Sequence, residues 1–345
     1  MNKKYDDFQQ KIKEWNKQGY DTNLLKGLYN LSNPADNSKV DYTNDLKKGT
    51  IYSNSNKEQF NSIFLNDKFK KLNSEQLKNV FQELHNRYVT SNGYEVSRNV
   101  VVDDDIKRQG VFGYVNSMDN MLFINKYAID KAKNDNNLSQ TSLNGKNIGV
   151  GLHFVITHES QHVCQFENAI DFANGIRKDP RSDFLAAMVA IEQANFAKVQ
   201  ADTNLLYFLK WKKNYNFQYI EHDANYKAFR ETKSNFSQDE KFKQAYTDYL
   251  TFAGLISLRG LPILSIPKFI NKRLDNIEKF AKFEINYFNK NIKDCPLKQE
   301  LMETVNKYMS SDKKSESNFR KDLKNEISEI LFDTMIKNYS GILEK

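Results

Sequence analysis

The feature that most constrains the fold is a helical segment that begins near Ile148 and carries two histidines. Apolar residues recur along this segment at helical spacing, and no proline interrupts the pattern. This apolar stripe consists of Leu152, Val155, Ile156, Val163 and Phe166. Within the segment, His158 and His162 are four residues apart, which places both imidazoles on one face of a helix. The sequence therefore predicts an amphipathic helix with two histidines one turn apart.

Residues 158–162 read His-Glu-Ser-Gln-His and have the form H-E-x-x-H, in which two imidazoles can bind one metal ion. The carboxylate of Glu159 then lies beside the metal, where it can take a proton from a bound water. A random chain of this composition would contain about 0.004 copies of the pattern, which favours a metal site over coincidence. The two cysteines, Cys164 and Cys295, are too few for a cysteine-based zinc site.

A catalytic zinc ion needs a third protein ligand and one open position. His153 precedes His158 by five residues and lies on roughly the opposite helix face, so we expect a structural role for it. A second helical segment downstream contains Glu221, His222 and Asp223. Asp223 points about 200° around that helix from Glu221 and is the weaker candidate. The residues themselves therefore leave His222 or a carboxylate of this segment as the third ligand.

The two segments together resemble the gluzincin group of zinc metallopeptidases, which carry HExxH on one helix and E-x-x-A-D-x-x-A on a later helix. Glu221, Ala224, Asn225 and Ala228 match the second pattern, with Asn225 standing where the family usually has aspartate. The resemblance implies that Glu221 completes a Zn²⁺ site. It also implies that Asn225 supports the first histidine ligand through its amide oxygen, which accepts a hydrogen bond without carrying a charge.

The resemblance extends to smaller features around the two motifs. Gln165 follows His162 by three residues, as in the H-E-x-x-H-x-x-Q form of some small members. For the oxyanion of the reaction, His222 and Tyr226 are the first candidate donors, ahead of Tyr219 and Arg230. Peptide deformylases combine HExxH with a cysteine ligand, but Cys164 lies two residues after His162 and faces away from the metal. We therefore expect Cys164 to be a buried, inert thiol.

The remaining pattern predicts an α+β fold that is mostly α, and the resemblance implies a zincin-like core with helical regions on both sides. Residues 1–92 form a polar helical region, 93–235 the catalytic core, and 236–345 a helical C-terminal region. Strand-like residues at 94–102 and a hairpin of 111–115 with 121–124 precede the HExxH helix. Either hairpin strand is a candidate for the edge to which a substrate backbone adds. Helices are expected after Asn73 and from Asp179-Pro180, and His85 is expected on a helix surface.

Charge and hydropathy exclude several other classes of function. The net charge of +7 is spread along the chain rather than gathered in blocks, so no nucleic-acid partner is expected. The most apolar window, residues 249–267, contains Arg259 and two prolines, so no stable membrane insertion is expected and a helix–turn–helix is predicted there. No apolar run follows the charged start, which predicts a cytoplasmic location, with an exported or injected effector as the alternative.

The sequence-based hypothesis is a zinc metallopeptidase that acts on a protein or peptide substrate. Zn²⁺ is held by His158, His162 and Glu221, and Glu159 acts as general base toward the water that attacks the peptide carbonyl. The alternative is a protein-binding module on a zincin scaffold, in which the metal site is structural or degenerate. Zinc analysis together with the Glu159→Gln variant separates these two functions.

Overall fold

In the computed structural model, the described residues are 3–20, 24, 55–94, 99–103, 113–116, 121–126, 129–130, 133, 147–252, 266–311 and 315–343. Within them the chain is mostly helical with one small sheet, which confirms the expected α+β, mostly α fold class. The turn predicted inside the 249–267 window lies outside the described residues.

The described helices include those predicted after Asn73, near Ile148 and from Asp179-Pro180, together with others that the sequence pattern did not specify. They are α1 (Lys3–Lys17), α2 (Lys57–Asn61), α3 (Asn66–Phe69), α4 (Ser74–Ser91), α5 (Ile148–Ala173), α6 (Pro180–Asp202), α7 (Leu205–Lys213), α8 (Tyr219–Phe236), α9 (Glu240–Phe252), α10 (Ile266–Asn291), α11 (Pro296–Met309) and α12 (Asn318–Leu343). Short 3₁₀ turns lie at Ser62–Phe64 and Tyr215–Phe217. No described helix is long and apolar enough to span a bilayer.

Two predicted helix starts are confirmed by their caps. The side chain of Asn73 accepts a hydrogen bond from the backbone N–H of Gln76, and the side-chain oxygen of Gln76 accepts one from the backbone N–H of Asn73. These two bonds form a capping box at the start of α4. At the start of α6, the carboxylate of Asp179 accepts bonds from the N–H groups of Arg181 and Ser182. These bonds satisfy backbone donors that the first turn of a helix leaves without partners.

The sheet has three strands, β1 (Asn99–Asp103), β2 (Gly113–Asn116) and β3 (Met121–Asn125), in the order β1-β3-β2. The predicted hairpin is confirmed, because β2 and β3 pair antiparallel, while β1 and β3 pair parallel. The expectation that Met121–Ile124 could be a free edge is wrong, since β3 pairs on both sides. Of the two hairpin strands, β2 is therefore the one at the edge of the sheet.

The chain divides into two compact units. The first comprises Met1–Asn33, Cys164–Asp223 and Ile263–Ser328, and the second Pro34–Val163, Ala224–Pro262 and Glu329–Lys345. Both α5 and α8 contribute residues to both units, because the division falls inside these helices. The division of the sequence at residues 92 and 235 stays a prediction.

In the second unit, aromatic rings pack around the start of α5. The ring of Phe64 lies 5.1 Å from the imidazole of His153 and 6.4 Å from the ring of Phe236, edge to face in both cases. Gly149 allows this packing, because a Cβ atom at this position would lie 2.0 Å from the carbonyl oxygen of Phe64. Only glycine permits α5 to approach the 3₁₀ turn this closely.

In the first unit, α6 packs between α10, α11 and the start of α12. Phe184 of α6 stacks on Tyr308 at 4.6 Å and contacts Phe319 at 5.4 Å. A buried polar group joins α6 to α10, since the amide of Asn195 donates to a carboxylate oxygen of Glu284 at 2.8 Å. The hydroxyl of Tyr207 in α7 donates to the same oxygen at 2.6 Å.

Candidate metal centre

Helix α5, which carries the H-E-x-x-H residues, is buried along nearly its whole length. Of its 26 residues, three are half-buried, namely Phe154, Val155 and His158, and the others are buried. Positions i, i+1 and i+4 lie on one side of a helix, so these residues form a single strip. His158 is therefore the histidine of α5 that lies in this half-buried strip.

The structure brings together the three residues proposed as metal ligands. One ligand atom from each of His158, His162 and Glu221 lies within 4.8 Å of the other two. The Nε2 atoms of the two histidines are 3.1 Å apart. A tetrahedral Zn²⁺ with bonds of about 2.05 Å to nitrogen separates two such ligands by about 3.3 Å. Two imidazoles and one carboxylate are donors that zinc accepts, and the separation of the two histidine nitrogens suits such an ion.

Glu221, the predicted third ligand, lies in one cluster with the two histidines. Among the described residues, this cluster is the one group of three or more His, Cys, Asp or Glu side chains spaced to hold a metal. Glu221 belongs to it, whereas Asp223 bonds to Gln165 and Arg181. The geometry does not bring Asp223 to the histidines, in line with its predicted direction around the helix.

Helices α5 and α8 run antiparallel and are joined by hydrogen bonds at two levels. At one level, the Gln165 amide donates to the carbonyl of Ile220 at 2.9 Å and to the Asp223 carboxylate at 3.0 Å. At the other, Nδ1 of His153 lies 3.2 Å from the hydroxyl of Thr232. The residues of both links are buried. Glu221 directly follows Ile220, whose carbonyl accepts the bond from Gln165. These bonds fix the backbone from which Glu221, the proposed third ligand, projects.

His153 has the structural role that its position predicts. It is completely buried, and the amide of Asn235 donates to its Nε2 at 3.3 Å. An Nε2 that accepts must be unprotonated, so Nδ1 carries the hydrogen and donates to Thr232. Burial lowers the pKa of His153 to about 3, which keeps the ring neutral at pH 7.

The two middle residues of the motif attach α5 to α4. The hydroxyl of Ser160 donates to the carbonyl of Ile156 at 2.7 Å, and it lies 2.9 Å from Nδ1 of His85. Because the Ser160 hydrogen is already used, His85 is the donor in that contact. The hydroxyl of Tyr88 donates to Gln161 at 2.9 Å. The expectation that His85 lies on a helix surface is therefore wrong, since it is fully buried against the motif.

Glu159 lies on α5 between the two histidine ligands and is 8% exposed. Asn225 follows Glu221 by one helical turn and is half-buried. The two alanines of the second pattern, Ala224 and Ala228, are completely buried. The base role of Glu159 and the supporting role of Asn225 stay predictions.

The two candidate oxyanion donors each contact a carboxylate of α12. His222 is buried with its Nε2 2.8 Å from Glu326, and Tyr226 donates its hydroxyl to Glu329 at 2.6 Å. Burial lowers the pKa of His222 to about 3, with the positive charges of Arg273 and Arg181 acting in the same direction. A neutral His222 therefore donates to Glu326 at pH 7. Their role toward a substrate stays a prediction.

Cys164 is buried, as expected, and burial raises the pKa of its thiol above the ordinary range. It is not part of the cluster, so the described geometry gives no support to a cysteine ligand. Comparison with protein-family models, with curated proteins and with solved structures finds no match to this chain.

Proposed function

We propose that this protein is a zinc-dependent metallopeptidase. The observation that carries the proposal is the cluster of His158, His162 and Glu221, which gathers three ligands of the right chemistry on two helices. Three protein ligands leave the fourth tetrahedral position for water or substrate, as in catalytic zinc sites. When bound, Zn²⁺ supplies Lewis acidity and lowers the pKa of a coordinated water to about 7.

The residues of the chain then divide the work of hydrolysis. His158, His162 and Glu221 would hold the ion through two ring nitrogens and one carboxylate. The carboxylate of Glu159 takes one proton from the attacking water as the new carbon–oxygen bond forms. The same carboxyl group returns that proton to the leaving nitrogen as the carbon–nitrogen bond breaks. The proton balance is closed, and Glu159 ends in its starting state.

The sheet supports an extended peptide as the substrate. A Cβ atom added to Gly113 of β2 would lie 3.2 Å from the side chain of Val155, which belongs to the half-buried strip of α5. Gly113 of β2 therefore lies beside the half-buried strip to which His158 also belongs. In the part of the chain that the structure describes, no strand pairs with the outer side of β2. An added peptide strand would bond there and pass near the metal ligands.

Two measurements on the purified protein test this function. Elemental analysis is expected to find one zinc per chain, and His162→Ala is expected to lose it. Glu159→Gln is expected to keep the zinc and to lower peptide cleavage by about 10²- to 10⁴-fold, because the general base is lost. Glu167→Gln, a buried glutamate on the same helix outside the cluster, serves as the matched control and is expected to remain active.

The outcomes also separate the peptidase from a binding module. Stoichiometric zinc with equal turnover in the wild type and Glu159→Gln would exclude the proposed base. Stoichiometric zinc with no cleavage of any peptide in a diverse library would favour a structural metal site. A protein that neither retains nor takes up zinc would remove the basis of the proposal.

A further inference from the structure

A second surface of the molecule, on helix α7, has no part in the metal centre. Five of the eight exposed large hydrophobic side chains in the described ranges fall within residues 205–215. Leu206 is 81% exposed and Leu205 is 65% exposed, which is unusual for adjacent leucines. We define the α7 surface by its outward-facing apolar and basic side chains. These are Leu205, Leu206, Phe208, Leu209, Lys212 and Lys213.

The orientation of α7 is fixed from its other side. Tyr207 is 3% exposed and donates its hydroxyl to the buried Glu284. One turn later, the Trp211 ring lies edge to face with Phe196 at 4.4 Å. At 100° per residue these two aromatics lie about 40° apart on the helix, on the side opposite the leucines. The leucines are therefore held outward by the packing of α7 rather than exposed by fraying of its ends.

Charge and apolar character are combined on the outward face. The four exposed apolar residues cover an arc of about 160°, and Lys212 and Lys213 of the last turn fall inside that arc. Lys210 turns aside and places its ammonium group 3.6 Å from the centre of the Phe283 ring. The sequence contains no Asp or Glu between Asp202 and Glu221. The surface is thus apolar at its first turns and purely cationic at its last.

We propose that the α7 surface binds peripherally to lipid bilayers that contain anionic lipids. Leucine and phenylalanine side chains that project from a helix lying in the membrane plane enter the boundary between headgroups and acyl chains. Lys212 and Lys213 then lie at the level of the lipid phosphates and pair with them. A 9-residue helix is about 14 Å long, which suits binding along the surface and is too short for crossing.

The composition of the surface favours a bilayer over a protein partner. Leu205 and Leu206 project as exposed side chains, and Tyr215, just beyond the end of α7, is 40% exposed and belongs to a residue type that is enriched at membrane interfaces. Charge complementarity adds to this, since the chain carries +7 overall and this surface carries only positive charge. An anionic bilayer would accommodate both the exposed apolar side chains and the positive charge of the α7 surface.

The test uses the full-length chain and sedimentation with sucrose-loaded vesicles. Vesicles of phosphatidylcholine alone are compared with vesicles in which half of the lipid is phosphatidylglycerol. Binding is expected for the anionic vesicles and is expected to weaken as salt rises. The triple variant Leu205→Ser, Leu206→Ser, Leu209→Ser is expected to lower the partition coefficient by roughly a hundredfold or more. Lys212→Gln with Lys213→Gln is expected to lower it by roughly twentyfold or more.

Matched controls separate the surface from general hydrophobicity and charge. Ile176→Ser with Phe332→Ser removes two other exposed apolar side chains, and Lys321→Gln with Lys324→Gln removes two other exposed lysines. Both control pairs are expected to bind like the wild type. Circular dichroism melting checks that every variant folds, which is expected because all the changed side chains are exposed.

Three results would overturn the proposal. The first is no sedimentation of the wild type with anionic vesicles at low salt. The second is equal loss in the α7 variants and in the controls. The third is a wild-type dimer in size-exclusion chromatography that the leucine variant dissociates, which would assign the surface to contact between two copies of this chain.

Discussion

Replacing Gln165 by methionine tests how the two helices of the metal centre are held together. Methionine has nearly the same length and volume as glutamine and no hydrogen-bond donor. The change therefore removes the two bonds from the Gln165 amide to Ile220 and Asp223 and leaves the packing in place. Gln165 is 1% exposed, so water cannot take over either bond.

The size of the effect follows from what the two acceptors lose. A bond to a charged group is worth about 1.5–3 kcal/mol, and a buried acceptor left without its donor costs about 1–3 kcal/mol. Arg181 lies 3.7 Å from the Asp223 carboxylate and offsets part of that loss. We expect the free energy of unfolding to fall by about 3 kcal/mol. Glu221 lies between the two acceptors in sequence, so zinc affinity is expected to fall about tenfold as well.

Two assays read these effects separately. Urea unfolding of the metal-free protein, followed by circular dichroism, gives the change in stability, and competition with a chelating dye gives the zinc dissociation constant. Gln200→Met, at an exposed position on α6, is the matched control and is expected to change stability by less than about 0.5 kcal/mol. A loss below about 0.5 kcal/mol for Gln165→Met would refute the reasoning about stability. A stability loss with unchanged zinc affinity would refute the link between Gln165 and the ligand.

Two further predictions concern single buried positions. Gly149→Ala is expected to lower the free energy of unfolding by about 3 kcal/mol, because its Cβ would overlap the Phe64 backbone, and a loss under about 1 kcal/mol in urea unfolding would contradict this close approach. Burial raises the pKa of Glu284 from 4.5 to about 7, so the folded state binds this proton more tightly than the unfolded state. Its contribution of about 3 kcal/mol is present below about pH 4.5 and is lost as the pH rises through about 7. Glu284→Gln is expected to flatten that part of the urea-unfolding pH profile, and an unchanged slope would show that another group causes it.

Local rules were sufficient for much of the helical architecture. The start of α4 at Asn73 and that of α6 at Asp179 follow from cap chemistry, which depends on neighbours within a few residues. Helical spacing placed His158 and His162 on one face, and the resemblance to gluzincins pointed to Glu221 as the residue that groups with them. The burial of Cys164 followed from its position on the same helix.

Contacts between distant segments were beyond such rules. His85 lies four residues after Phe81 on the apolar side of α4, so the helical pattern did contain a sign of its burial. What the pattern lacked was its partner, Ser160, which is 75 residues away. The free edge of the sheet was ambiguous for a similar reason. Strand β3 lies in the centre because β1 pairs with it, and the order of the strands along the chain does not show this pairing. The exposure of Leu206 depends on which side of α7 packs, and that is set by Glu284 and Phe196.

The enclosure of α5 has a consequence for the lifetime of a bound metal. Its backbone amides around His158 and His162 lie far from either end of a 26-residue helix and beneath buried side chains. Fraying does not reach such positions, so hydrogen–deuterium exchange there requires opening of the surrounding core. His158 and His162, the proposed ligands, thus lie on a stretch of backbone that is expected to exchange slowly. Metal release would proceed by rotation of side chains toward the solvent-facing strip, with the helix itself remaining intact.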